Sequence, residues 1–253
     1  MGARAGPRLQ LGNRAGGVMA APDATRDAVE SVDLATETVR ELNRRLHGQD
    51  APRRVRVLNP AGRHSIAVGL DGPYEVEIEG HVGYYCAGMN KLAGVRIRGN
   101  CGVGVAENMM SGTVIVEGSA SQSAGATARG GLLVIHGDAS ARCGISLKGG
   151  DIVVRGSVGH MSAFMAQKGS IVVCEDAGEA LGDSLYETRL YVRRSVASLG
   201  ADCVEKEMRS EHVEQVRELL ARAEIDDADP ADFRRFGSAR RLYHFKVEHL
   251  ASY

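Results

Sequence analysis

Short apolar runs with every second residue hydrophobic recur along the middle of the chain at an unvarying interval. Val76, Val95, Val114, Leu133, Ile152, Ile171 and Leu190 lie 19 residues apart, and two places on from each stand Ile78, Ile97, Val116, Ile135, Val154, Val173 and Val192. Side chains two apart on a strand share a face, so both columns point the same way, into a core. Gly80, Gly99, Gly118, Gly137 and Gly156 close the first five runs; Glu175 and Arg194 take that place in the last two. A polar residue follows each (His81, Asn100, Ser119, Asp138, Ser157, Asp176, Ser195), then a small apolar one from Val82 to Val196. Repetition on this scale marks stacked repeats rather than one closed core.

Two further columns sharpen the geometry. Seven residues after the glycine position the side chain is always small: Ala87, Ala106, Gly125, Gly144, Ala163, Gly182 and Ala201. Such a column predicts close approach, either to the opposite wall or to a partner. Gly112, Gly131, Gly150 and Gly169 stand where the coil turns, in positions that need positive φ. The expected fold is all-β: a parallel β-helix of about seven 19-residue coils, rising roughly 29 Å at ~4.8 Å per coil. The hexapeptide rule of left-handed β-helices does not fit coils of this length, so the expected hand is right.

The flanks predict helices. Asp23 to Gly48 has a helical pattern, with Val39, Leu42 and Leu46 on one face, Thr36 as N-cap and Gly48 as stop. Val55 and Val57 predict a strand before the Asn59-Pro60-Ala61-Gly62 turn, and Arg63 to Val68 a second. Met208 to Glu224 is helical again, and the tail carries Arg234, Arg235, Arg240 and Arg241 beside Leu242-Tyr243-His244-Phe245. That small basic cluster, with Asp229 and Asp232 beside it, reads as a surface that faces a partner. The division is then a disordered tail over 1–22, a helix and short strands over 23–73, the β-helix over 74–204, and a helix and tail over 205–253. One outward column is unusual: Glu77 and Arg96 are followed by Ile115, Val134, Val153, Val172 and Tyr191. A five-coil apolar stripe should not face water. Either the C-terminal helix covers it or another subunit does.

Composition removes several function classes. Lys+Arg number 31 against 32 Asp+Glu, a net charge of -1, which argues against a nucleic-acid binder. No apolar run approaches the ~20 residues of a membrane span, and the first 22 residues lack the apolar core of an export signal. The five cysteines are therefore expected to be reduced thiols in the cytoplasm. Cys86 and Cys143 share a column but stand three coils apart, ~14 Å and beyond disulfide reach. No C-x-x-C pair, nucleophile elbow or Rossmann spacing occurs, so no catalytic, cofactor-binding or metal-binding residue is assigned to this chain.

Longer strings carry a resemblance. Asn59 to His64, Gly80 to Cys86, Glu107 to Gly112 and Gly156 to Met165, set in the glycine repeat, resemble the GXGXG β-helix domain at the C-terminal end of the glutamate synthase large subunit. They are most similar to the free-standing β-helix subunit found in N-methylglutamate synthase, over about Asp33 to Tyr253. The resemblance implies a non-catalytic assembly subunit. Its partners would be a glutaminase-like amidotransferase subunit with an N-terminal Cys nucleophile and an FMN-binding barrel subunit that also holds an iron–sulfur cluster. The implied reaction joins methylamine and L-glutamate to give N-methyl-L-glutamate and ammonia. A glutamine-dependent synthase using ammonia and 2-oxoglutarate is the closest alternative, and a self-contained β-helix acyltransferase the second. If this chain supplies an interface or the edge of a site, the candidates are His64, His81, Tyr84, Tyr85, Asn90, Asn108 and His160; otherwise these residues fix turns and stack along the solenoid.

Overall fold

A computed structural model describes residues 29–48 and 51–240. The tail over 1–22, the start of the helical pattern at Asp23, and Arg241 to Phe245 lie outside the described residues. Strands β1 (Val29–Asp33), β2 (Arg53–Leu58), β3 (Tyr74–Ile78), β4 (Gly94–Ile97), β5 (Thr113–Val116), β6 (Leu132–Ile135), β7 (Lys148–Val154), β8 (Lys168–Val173) and β9 (Arg189–Val192) stack in chain order, each parallel to the next. The result is a parallel β-solenoid. Both inward columns are in exact register from Val76 and Ile78 to Leu190 and Val192, and all their members belong to one buried core. A second column, from Val82 through Cys101 to Val196, bridges coil to coil on the next side.

The stack begins two coils before the glycine beat. Val55 pairs with Val76, and Glu30 with Val55. The helical pattern over Asp23 to Gly48 thus resolves, among described residues, into a strand and a short helix, α1 (Val39–Arg45). Its N-cap is Thr38 rather than Thr36. The Thr38 side chain accepts from Glu41 N at 3.2 Å, while Glu41 accepts from Thr38 N at 2.9 Å. A glutamate three residues after the cap closes a capping box that Thr36 cannot form. Arg63 to Val68 is not a strand either. Ser65 and Ala67 have φ near +56°, and the segment is the turn side of the second coil.

That turn side has its own regular backbone. Tyr85, Ala87 and Met89 are left-handed, and the same alternation recurs at Gly104, Ala106 and Asn108 and in each coil up to Ala180, Gly182 and Ser184. Left-handed backbone costs an L-residue roughly 1–2 kcal/mol. Hydrogen bonds to the coils on both sides offset this: Tyr85 N donates to Val103 O (2.8 Å), Ala87 N to Ile66 O (3.0 Å) and Met89 N to Glu107 O (2.7 Å). The small column is small because of the opposite wall, since a Cβ on Gly125 would lie 2.6 Å from Ile152 Cδ1. Gly112, Gly131, Gly150 and Gly169 have φ between +81° and +104°, as the turn requires.

The apolar outward stripe is covered from within the chain. Helix α2 (Ser210–Arg222) and the segment after it place Val216, Leu219, Leu220, Ile225 and Phe233 on Ile115, Val134, Val153, Val172 and Tyr191, forming a second buried cluster. Ion pairs between Arg96 and Glu224, Arg155 and Asp227, and Arg193 and Asp232 fasten the segment along the coils. The chain then returns as β11 (Arg234–Ser238), which inserts antiparallel between β9 and β10 (Cys203–Lys206). The basic cluster is consequently drawn into the fold. Arg234 pairs with Glu205, Arg235 Nε donates to Glu207 O at 3.0 Å, and Arg240 pairs with Asp202.

Candidate functional site

The glycine beat marks a corner at which one side chain of each coil caps the next. His81 Nδ1 accepts from Asn100 N (2.9 Å), Asn100 Oδ1 from Ser119 N (2.8 Å), Ser119 Oγ from Asp138 N (3.1 Å) and Asp138 Oδ1 from Ser157 N (2.8 Å). Ser157 Oγ then accepts from Asp176 N (3.3 Å), and Asp176 Oδ1 from Ser195 N (2.9 Å). These side chains occupy the space where a Cβ would stand on Gly118, Gly137 and Gly156, and a Cβ on Gly99 would lie 2.6 Å from Gly80 C. Of the five beat glycines only Gly80 has positive φ; the rest are glycine for close approach. Where the glycine is lost, Glu175 and Arg194 pair across the coils at 2.9 Å.

His81 is therefore the first member of a structural ladder. His64 stacks on Tyr84 with ring centroids 4.5 Å apart, and its Nδ1 accepts from Tyr84 N at 2.8 Å. Asn108 Oδ1 accepts from Thr127 Oγ1 one coil on (2.6 Å). Asn90 is fully buried. Its Nδ2 donates to Ala93 O (2.9 Å) and Ser111 O (3.3 Å), while its Oδ1 has no partner among the described residues. The Tyr85 ring lies against Gly88. His160 occupies the column of Tyr84 four coils further on, roughly 19 Å away. The structure thus brings His64, Tyr84 and Tyr85 together and separates them from His160. It sets no general base beside a nucleophile among them.

Cys86, Cys101, Cys143, Cys174 and Cys203 are free and buried. Burial pushes the Cys101, Cys143 and Cys174 thiols up to about 12, and Cys203 to about 11. Such thiols are not nucleophiles at neutral pH. Among the described residues no group of three His, Cys, Asp or Glu gathers that could hold a metal ion, and no helix is long and apolar enough to cross a membrane.

What the residue-by-residue reading misses is apolar exposure on the turn side. Tyr84 and Leu92 are each 57% exposed, and Met89, Val103 and Met110 also face solvent. The signal lies in the same 19-residue grid, since Tyr84 and Val103 share a column, but no single residue there looks chemical. Two adjoining coils thus present large apolar side chains to solvent, an arrangement suited to burying a protein surface.

Compared with known proteins, 225 residues of the chain are 63% identical to protein GlxC of Rhizobium meliloti (strain 1021), an alignment that covers 88% of this chain and 99% of that one. No family model matches the chain. No solved structure matches it.

Proposed function

The chain belongs to the family of protein GlxC, and from that premise we propose that it is the non-catalytic β-helix subunit of a glutamate-synthase-like complex. The observation that carries this reading is the division of labour among the candidate residues. Polar candidates are engaged in bonds between coils, with His64, His81 and Asn108 each accepting from a neighbouring coil, whereas Tyr84, Met89, Leu92, Val103 and Met110 expose large apolar side chains to solvent. A rigid column with such inter-coil bonding and an exposed apolar surface is built to hold other chains in place.

Within that reading, the partners are a glutaminase-like subunit and an FMN-binding barrel subunit that holds the iron–sulfur cluster. The complex converts methylamine and L-glutamate to N-methyl-L-glutamate and ammonia, in the cytoplasm. The resemblance of the strings Glu107 to Gly112 and Gly156 to Met165 supports this choice of complex over the glutamine-dependent synthase. The test is co-expression of the tagged chain with the two partner types. Recovery of a flavin-containing complex that makes N-methyl-L-glutamate, with no turnover by this chain alone, is the expected result. A complex active only with glutamine and 2-oxoglutarate would assign the alternative substrate. Turnover by the isolated chain, or a homotrimer with acyl-transfer activity, would overturn the subunit reading.

A further inference from the structure

Beyond the coils that carry the apolar exposure, a cavity of about 670 Å³ opens where the last coils meet α2 and β11. Its lining is strongly cationic. Lys168, Arg189, Lys206, Arg235 and Arg240 face Asp151 and Glu187 as the only acids among the lining residues. Four strands, β8, β9, β10 and β11, deliver Lys168, Arg189, Lys206 and Arg235, and Arg240 follows β11. Because β11 enters between β9 and β10, Lys206 and Arg235 stand directly opposite each other in register, and Lys148 stands opposite Lys168. Like charges directly opposite across a sheet repel.

The repulsion is poorly compensated within the chain. Arg189 donates to the neutral Gln215 side chain and Arg235 to the Glu207 carbonyl, and among the described residues only Arg240 of the five has a carboxylate partner, Asp202. Lys168 and Lys206 have no ion-pair partner among the described residues. Asp151 is turned to Arg222, at 3.5 Å. A second observation also points to a missing ligand. Thr188 lines this cavity with 2% of its surface exposed, and its hydroxyl has no hydrogen-bond partner among the described residues. Buried hydroxyls are normally satisfied.

We propose that this cavity binds a small multivalent anion, a molecule with two or more phosphate or carboxylate groups, between Lys168, Lys206, Arg189 and Arg235. The cations supply charge from several directions, the Thr188 hydroxyl supplies a donor at the wall, and the half-exposed Tyr186 borders the opening. The proposal stands independently of the subunit reading, since it uses residues of the last coils and the C-terminal segment, several coils from the exposed apolar side chains on which that reading rests.

The test is calorimetric titration of the full-length chain at low salt with pyrophosphate and, separately, with citrate. Saturable one-to-one binding of either is expected, with pyrophosphate alone identifying a phosphate ligand and citrate alone a carboxylate. The Lys168→Ala/Lys206→Ala variant should bind at least tenfold more weakly, and Thr188→Val several-fold more weakly. Removing two like-charge contacts should also leave the unliganded double variant melting no lower than the parent, which separates lost binding from lost folding. Lys91→Ala, in the column of Tyr186 but five coils and roughly 24 Å away along the stack, should bind as the parent does. Binding of neither probe, or equal weakening by Lys91→Ala, would overturn the proposal.

Discussion

At the scale of single residues, the corner ladder explains most of the sequence pattern. Each ladder side chain accepts the backbone N–H of the polar residue one coil on, in the space left open by the next beat glycine. Gly137→Ala should therefore be destabilising by overpacking, by about 1–3 kcal/mol, and denaturant unfolding would measure it. Ser119→Ala in the same background should recover part of the loss, because Ser119 Oγ is the atom that the new Cβ meets. No recovery would show that the Gly118 backbone, which also crowds that site, dominates. The glycine positions are plain in the sequence, but their reason is not. Positive φ and close approach leave the same letter, and only the structure separates Gly112, at +82°, from Gly118, which is crowded by Asn100.

At the scale of elements, the placement of α2 should depend on pH. His212 is buried near its start, and His212 Nδ1 accepts from Arg209 N at 3.1 Å, which requires a ring nitrogen free of its proton. Burial lowers the pKa of His212 from 6.5, and nearby Arg235 adds to the effect. A histidine with its folded pKa lowered stabilises the fold above the unfolded value, and that stability is lost as pH falls through the folded pKa. The cover formed by α2 should accordingly loosen below about pH 6.5, and His212→Gln should flatten this dependence; melting temperature against pH is the measurement. The helix itself is legible from its apolar face, and so is the stripe that it covers. The first two coils are not legible as coils: Val55 lies 21 residues before its partner Val76, and Glu30 lies 25 before Val55, so neither falls on the 19-residue grid.

At the scale of the whole molecule, one face of the column is closed by its own C-terminal segment and another presents apolar side chains. Leu92→Arg together with Met110→Glu should leave the melting temperature of the isolated chain nearly unchanged, since both residues are exposed. The same pair should abolish recovery of partner subunits, measured by co-purification. Retention of the partners would place the docking surface elsewhere. Of the candidate residues, His64, Tyr84 and Tyr85 could be picked from their strings, but their engagement by neighbouring coils could not, because a hydrogen bond to a residue about 20 positions away leaves no local trace. The exposed methionines and leucine were equally hidden, since they lie between strands, where no alternation marks which side chains point outward.

The sequence by itself determined the coil: its length, its two inward columns, its turn glycines and the number of repeats bearing them. Those features recur in every coil, and each is dictated by contacts with the coil before or after, so one pattern states the same constraint seven times. Tertiary structure alone decided which outward stripe is sealed, that the chain returns as β11 between β9 and β10, and that Lys206 and Arg235 come to face each other beside Thr188. These contacts join segments outside the repeat, each made once, and a pairing made once leaves no period to read.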